Sequence, residues 1–85
     1  MFELIYAKSV SKDIKPIPAK HLTQIKQNIE ALKHFPDIPH IKHLSNHPVA
    51  DYRLRIGQYR VLFDVDWNKH QILILKIGHR SRIYQ

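Results

Sequence analysis

From Tyr52 onward the chain alternates apolar and charged positions. Tyr52, Leu54 and Ile56 fall on one face and Arg53 and Arg55 on the other, the period of two expected of a half-buried β-strand. A second run sets Tyr59, Val61, Phe63 and Val65 against Arg60, Leu62, Asp64 and Asp66. Gly57-Gln58 stands between the runs, a two-residue connection with glycine first that suits a type II′ hairpin turn. That turn pairs Ile56 with Tyr59 and sets Arg55 directly across from Arg60, away from the aliphatic face. After a turn at Trp67 to His70 comes QILILKIGH, whose unbroken apolar run Ile72 to Leu75 is expected in a strand covered on both faces or central in the sheet.

Upstream the period changes. Phe2 to Ala7 predicts a first strand, and Ser9 to Lys15 a brief helical turn stopped by Pro16 and Pro18. Pro18 suits the first helical position, where a missing N–H costs nothing. In AKHLTQIKQNIEALKHF the residues Leu22, Ile25, Ile29 and Leu32 form one apolar stripe with lysines and polar residues around it, an amphipathic helix that covers a sheet face. Phe35 to Pro48 holds three prolines, which preclude a long helix or central strand and predict a connection tied down by Ile38, Ile41 and Leu44. The expected fold is α+β, a single domain over residues 1–85. An N-terminal strand and two helices pack on one face of a mainly antiparallel sheet of about four strands. The other face, rich in arginine, is left open.

Charge narrows the partners. The net charge is +7 and the pI about 9.9, a balance that in so small a chain points to nucleic acid, an anionic membrane or an acidic protein. All five arginines lie in the 51–84 stretch, whereas lysine dominates before it. Arginine is the residue of geometry: its planar fork grips phosphate in bidentate fashion. Like charges facing each other across a strand pair destabilise it, so the Arg55–Arg60 pair makes sense around an anion. The alternatives are that both side chains splay into solvent, or that Asp51 or Asp64 neutralises them. Lys42, His43 and His47 fall near the start of the first arginine strand.

Other chemistry finds little purchase. With no cysteine there is neither disulfide nor thiolate metal site. His40, His43 and His47 have a spacing that could hold zinc on a helix, but prolines bracket them, no acid lies among them and their surroundings are cationic. No G-x-S-x-G or glycine-rich phosphate loop occurs. The N-terminus has no basic, signal-like region and the longest apolar run is far too short to span a bilayer; a cytoplasmic protein without a membrane partner is expected. What remains is a set of arginines with His79 and Tyr84, groups that suit metal-free phosphoryl transfer: guanidinium stabilises the charged transition state while histidine or tyrosine moves protons.

These residues resemble a known family. Tyr52-Arg53-Leu54-Arg55-Ile56-Gly57-x-Tyr59-Arg60-Val61-Leu62-Phe63, an aliphatic strand, and Gly78-His79-Arg80-x-x-Ile83-Tyr84 are similar to the RelE/ParE superfamily of bacterial and archaeal toxins. The resemblance implies a toxin wrapped by a cognate acidic antitoxin in a hetero-oligomer. In the RelE branch it implies a metal-independent, ribosome-dependent endoribonuclease without cofactor, which cleaves mRNA in the A site through attack of a 2′-hydroxyl on the adjacent phosphate. It implies that Arg60 and Arg80 stabilise the phosphate, that Tyr84 orients a base or assists proton transfer, and that His79 stands where relatives place a catalytic acid or base. Arg53, Arg55 and Arg82 are then RNA- or antitoxin-facing charges, with Lys42, His43 and His47 beside them. The ParE branch shares the fold but poisons DNA gyrase.

Overall fold

A computed structural model describes residues 1–83. Strand β1 (Glu3–Tyr6) leads into a one-turn helix α1 (Val10–Asp13) and the long helix α2 (Ala19–Ala31), which ends in a 3₁₀ turn, Leu32–His34. Four further strands follow: β2 (Ile41–His43), β3 (Tyr52–Ile56), β4 (Tyr59–Asp66) and β5 (Gln71–His79). They form one sheet in the order β1-β5-β4-β3-β2. Every pairing is antiparallel except β1 with β5, which is parallel. The α+β class, the helices on one face and the mainly antiparallel sheet agree with the sequence reading. Pro18 lies one position outside α2, at its cap.

The sheet has five strands where about four were expected. The extra one, β2, sits in the proline-rich connection, outermost in the sheet, where prolines just outside a short ladder are tolerated. The preceding residue, His40, has φ +69°, and this left-handed step turns the chain into the strand. The hairpin follows the sequence reading closely. Ile56 pairs with Tyr59 and Arg55 with Arg60, and Gly57 has φ +57° while Gln58 does not have a positive φ, as a II′ turn requires.

On the helix side, Ile25 and Ile29 of α2 and Leu32 of the 3₁₀ turn bury against Leu54, Ile56, Val61, Phe63, Ile72, Ile74 and Ile77 of the sheet. Strand β1 covers β5 only as far as Ile74. Beyond that point the edge of β5 is open, and Asp13 of α1 fills in: its Oδ2 accepts the N–H of Ile77 at 3.1 Å.

The opposite face is not left wholly open, contrary to expectation. Leu62 and Ala50 are buried there with Ile83, which returns from the end of β5, and Leu44 and Leu75 flank them. A β-bulge brings Lys76 to the same face as Leu75. Leu62 pairs with Lys76 but Phe63 with Ile74, so Leu75 is an extra residue and the alternation of β5 changes phase. Among the described residues no helix is long and apolar enough to cross a membrane.

Candidate phosphate-binding site

Directly opposed residues of an antiparallel pair share a face, so the register locates the cations. Lys42 pairs with Arg53 and Arg55 with Arg60. Two like-charge pairs thus lie side by side across β2, β3 and β4, on the face away from the helices. Among the described residues no carboxylate lies within ion-pair distance of Lys42, Arg53 or Arg55. Asp64 does not neutralise the arginines. Its Oδ1 accepts the backbone N–H of Asp51 at 2.6 Å.

The opposed guanidinium groups relieve their repulsion by diverging. Arg60 folds back over its own turn, where Nη1 donates to the carbonyls of Gly57 (2.9 Å) and Tyr59 (3.0 Å). Arg55 reaches outward, with Nη2 3.1 Å from Nδ1 of His40. Arginine can only donate, so His40 Nδ1 accepts. Among the described residues the buried Nε of Arg53 has no hydrogen-bond partner.

Across from Arg60 stands Gly78. The pairing runs one residue past β5, through the Arg80 N–H to the Gln58 carbonyl (2.8 Å). The chain then turns, Arg82 and Ile83 both donating their N–H to the His79 carbonyl, which drops Ile83 onto Gly78. A groove of about 660 Å³ runs along this edge, lined by Lys12, Lys76, Gly78, His79, Ser81 and Arg82 among others. Lys12 and Lys76 were not singled out from sequence. Lys76 reaches the groove because of the bulge, which simple alternation over ILILKI does not reveal, and Lys12 because α1 docks on the open edge of β5.

His79 is placed differently from the arginines. It pairs with Tyr59, and their rings meet edge to face at 5.6 Å on the helix side of the sheet, where His21 contacts Tyr59 at 5.4 Å. Its Nδ1 accepts the backbone N–H of Ser81 (3.2 Å) and is 2.9 Å from Ser81 Oγ. Since a backbone N–H can only donate, the neutral ring carries its proton on Nε2 and presents a donor to the groove.

The structure therefore gathers Lys42, Arg53, Arg55 and Arg60 on one face and places His79 and Arg82 along the groove at its end; Arg80, exposed, begins the turn after β5. His43 is on the other face, its ring against Tyr52 at 5.1 Å, and His47 Nδ1 accepts the N–H of Val49 within its loop. His40, His43 and His47 are thus engaged separately, and among the described residues no three His, Asp or Glu side chains cluster as metal ligands would. Tyr84 lies outside the described residues.

Residues 4–84 match the model of the ParE toxin of type II toxin–antitoxin systems, parDE. The chain belongs to the RelE/ParE toxin superfamily. Among its relatives within that superfamily, the toxin candidate RelE1 of Methanocaldococcus jannaschii is 39% identical, with 99% of this chain and 96% of RelE1 aligned. Toxin RelE3 of the same organism is 33% identical over 96% of this chain and 94% of its own length. The toxin fold is shared with the archaeal RelE–RelB complex from Pyrococcus horikoshii at a TM-score of 0.75 and 28% identity, covering 95% of this chain and 97% of that one.

Proposed function

We propose that this RelE-like toxin is a metal-independent, ribosome-dependent endoribonuclease that cuts mRNA. The observation that carries the reading is the crowding of cations on the sheet face away from the helices. Lys42 opposes Arg53 and Arg55 opposes Arg60 across neighbouring strands, beside a groove edged by Lys76, His79 and Arg82. A phosphodiester lying along these pairs has several donors to meet its oxygens. In the reaction the ribose 2′-oxygen bonds to phosphorus as the bond to the 5′-oxygen breaks. One proton leaves the 2′-hydroxyl and one is delivered to the departing oxygen. Arg60 and Arg80 stabilise the extra charge of the pentacoordinate state. His79 Nε2–H donates to a phosphate oxygen or to the leaving group, and Tyr84 serves to orient a base or move a proton. Arg53, Arg55, Arg82 and Lys42 hold the strand.

The partner that such a basic chain calls for is an acidic antitoxin; the P. horikoshii RelE is in complex with RelB. An apolar cleft of about 510 Å³ between β1, α1 and α2, floored by Val10, Ile14, Leu22 and Ile29 and edged by Lys8 and Lys26, suits an amphipathic acidic segment of that antitoxin.

Expression in cells tests the nuclease reading directly. Translation should stop and mRNA should be cut within codons, leaving 5′-hydroxyl ends and 2′,3′-cyclic phosphates. Arrested cells with intact mRNA would refute it. A second reading is favoured by the match to ParE: inhibition of DNA gyrase, which predicts DNA damage with uncut mRNA.

A further inference from the structure

The tip of the β3–β4 hairpin and the first turns of α2 enclose a crevice of about 250 Å³ beside the phosphate site. Its walls are rings and amides: His21, Tyr59 and His79, with Gln24 and Gln58. The rings form a row, His21 to Tyr59 at 5.4 Å and Tyr59 to His79 at 5.6 Å. Among the described residues neither glutamine side chain makes a hydrogen bond, although the backbone carbonyls of both are engaged. The crevice shares Tyr59 and His79 with the cationic groove, so the two hollows meet at one wall.

We propose that this crevice is a nucleobase subsite selective for adenine. The proposal rests on the reading that RNA is the substrate and adds which base the chain prefers beside the bound phosphate. Unstacked bases are held in proteins by aromatic and histidine rings, and the Tyr59 row supplies such a platform at the end of the groove. Selectivity follows from the amides. A glutamine amide offers one donor and one acceptor, which match the N7 acceptor and N6 amino donor of adenine. Guanine presents two acceptors on that edge and is met by arginine or lysine, and neither residue lines the crevice. Ile25 and Ile56 close its floor, where a flat base excludes water and a phosphate finds no partner.

Titration of the full-length Arg60→Ala chain with adenosine 5′-monophosphate, followed by 1H–15N NMR, tests the subsite without requiring cleavage. The Gln24 and Gln58 side-chain amides should shift, and guanosine 5′-monophosphate should bind about 5–100-fold more weakly. The Gln24→Ala/Gln58→Ala pair on the same chain should erase the difference. In cells, the cut positions of the wild-type protein should favour adenine next to the scissile phosphate, and those of Gln24→Ala/Gln58→Ala should not. Equal response to the two nucleotides, or shifts confined to the arginine face, overturns the subsite. Uncut mRNA alongside adenine-selective shifts removes the nuclease reading and leaves the subsite standing. Cut mRNA whose context is indifferent to both glutamines does the reverse.

Discussion

At Gly78 the chain needs a hydrogen where any other residue would place a Cβ. A Cβ there would lie 3.1 Å from Ile83 Cδ1, tighter than an ordinary contact, so the Ile83 side chain must give way slightly. Gly78→Ala should shift Ile83, lowering mRNA cleavage while the fold survives. Cleavage and urea-denaturation curves measured on the same variant check this, and a loss of stability that matched the loss of activity would assign Gly78 to folding alone. Ile83→Val, which keeps an apolar anchor, should retain most of the cleavage. Arg60 and Arg80 act on the charge itself. Losing one transition-state donor of this kind costs about 2.7–4 kcal/mol, so Arg60→Ala or Arg80→Ala should reduce single-turnover cleavage about 100–1,000-fold.

Among the elements, strand β5 shows most clearly what the sequence disclosed. The hairpin register was legible because Gly57-Gln58 permits few turns and the arginine alternation permits one phase. The amphipathic helix was legible from Leu22, Ile25, Ile29 and Leu32. Three features were not. Strand β2 is held by partners distant in sequence, and its local signal is three prolines that argue against a strand. The bulge at Leu75 shifts a run of aliphatic residues that looks the same in either phase, which hid Lys76. The coverage of the second face depends on Ile83 folding back, an event of tertiary packing with no periodic trace. Asp13 belongs to the same class, since nothing near it in sequence shows that it completes the edge of β5. Asp13→Ala should leave the Ile77 N–H unsatisfied at about 1–3 kcal/mol, read as a lower urea midpoint at unchanged slope. Asp13→Asn, which keeps an acceptor, should recover most of it.

Across the whole molecule the strand arginines are sorted by face. The helix side carries the core and the aromatic crevice; the other side carries the paired cations around a small apolar patch. Binding of single-stranded RNA should therefore weaken steeply with salt. For single strands the logarithmic slope is about 0.7 per phosphate neutralised. Three to four contacts from Lys42, Arg53, Arg55 and Arg60 thus predict a slope of roughly −2 to −3. Lys42→Ala should make it shallower by about 0.7 in fluorescence anisotropy, whereas Lys33→Ala, whose partner is Glu30 on the helix side, should leave it unchanged.

The claim beneath these expectations is that a scissile phosphodiester lies on the cationic sheet face beside Arg60. Single-turnover cleavage of mRNA on programmed ribosomes, comparing the wild-type chain with Arg60→Ala and Arg60→Lys, measures it most directly. The account predicts specific cutting by the wild type and a loss of about 100-fold or more in Arg60→Ala. Arg60→Lys should recover little, because a point charge does not replace a planar fork. Equal cutting by all three chains would contradict it.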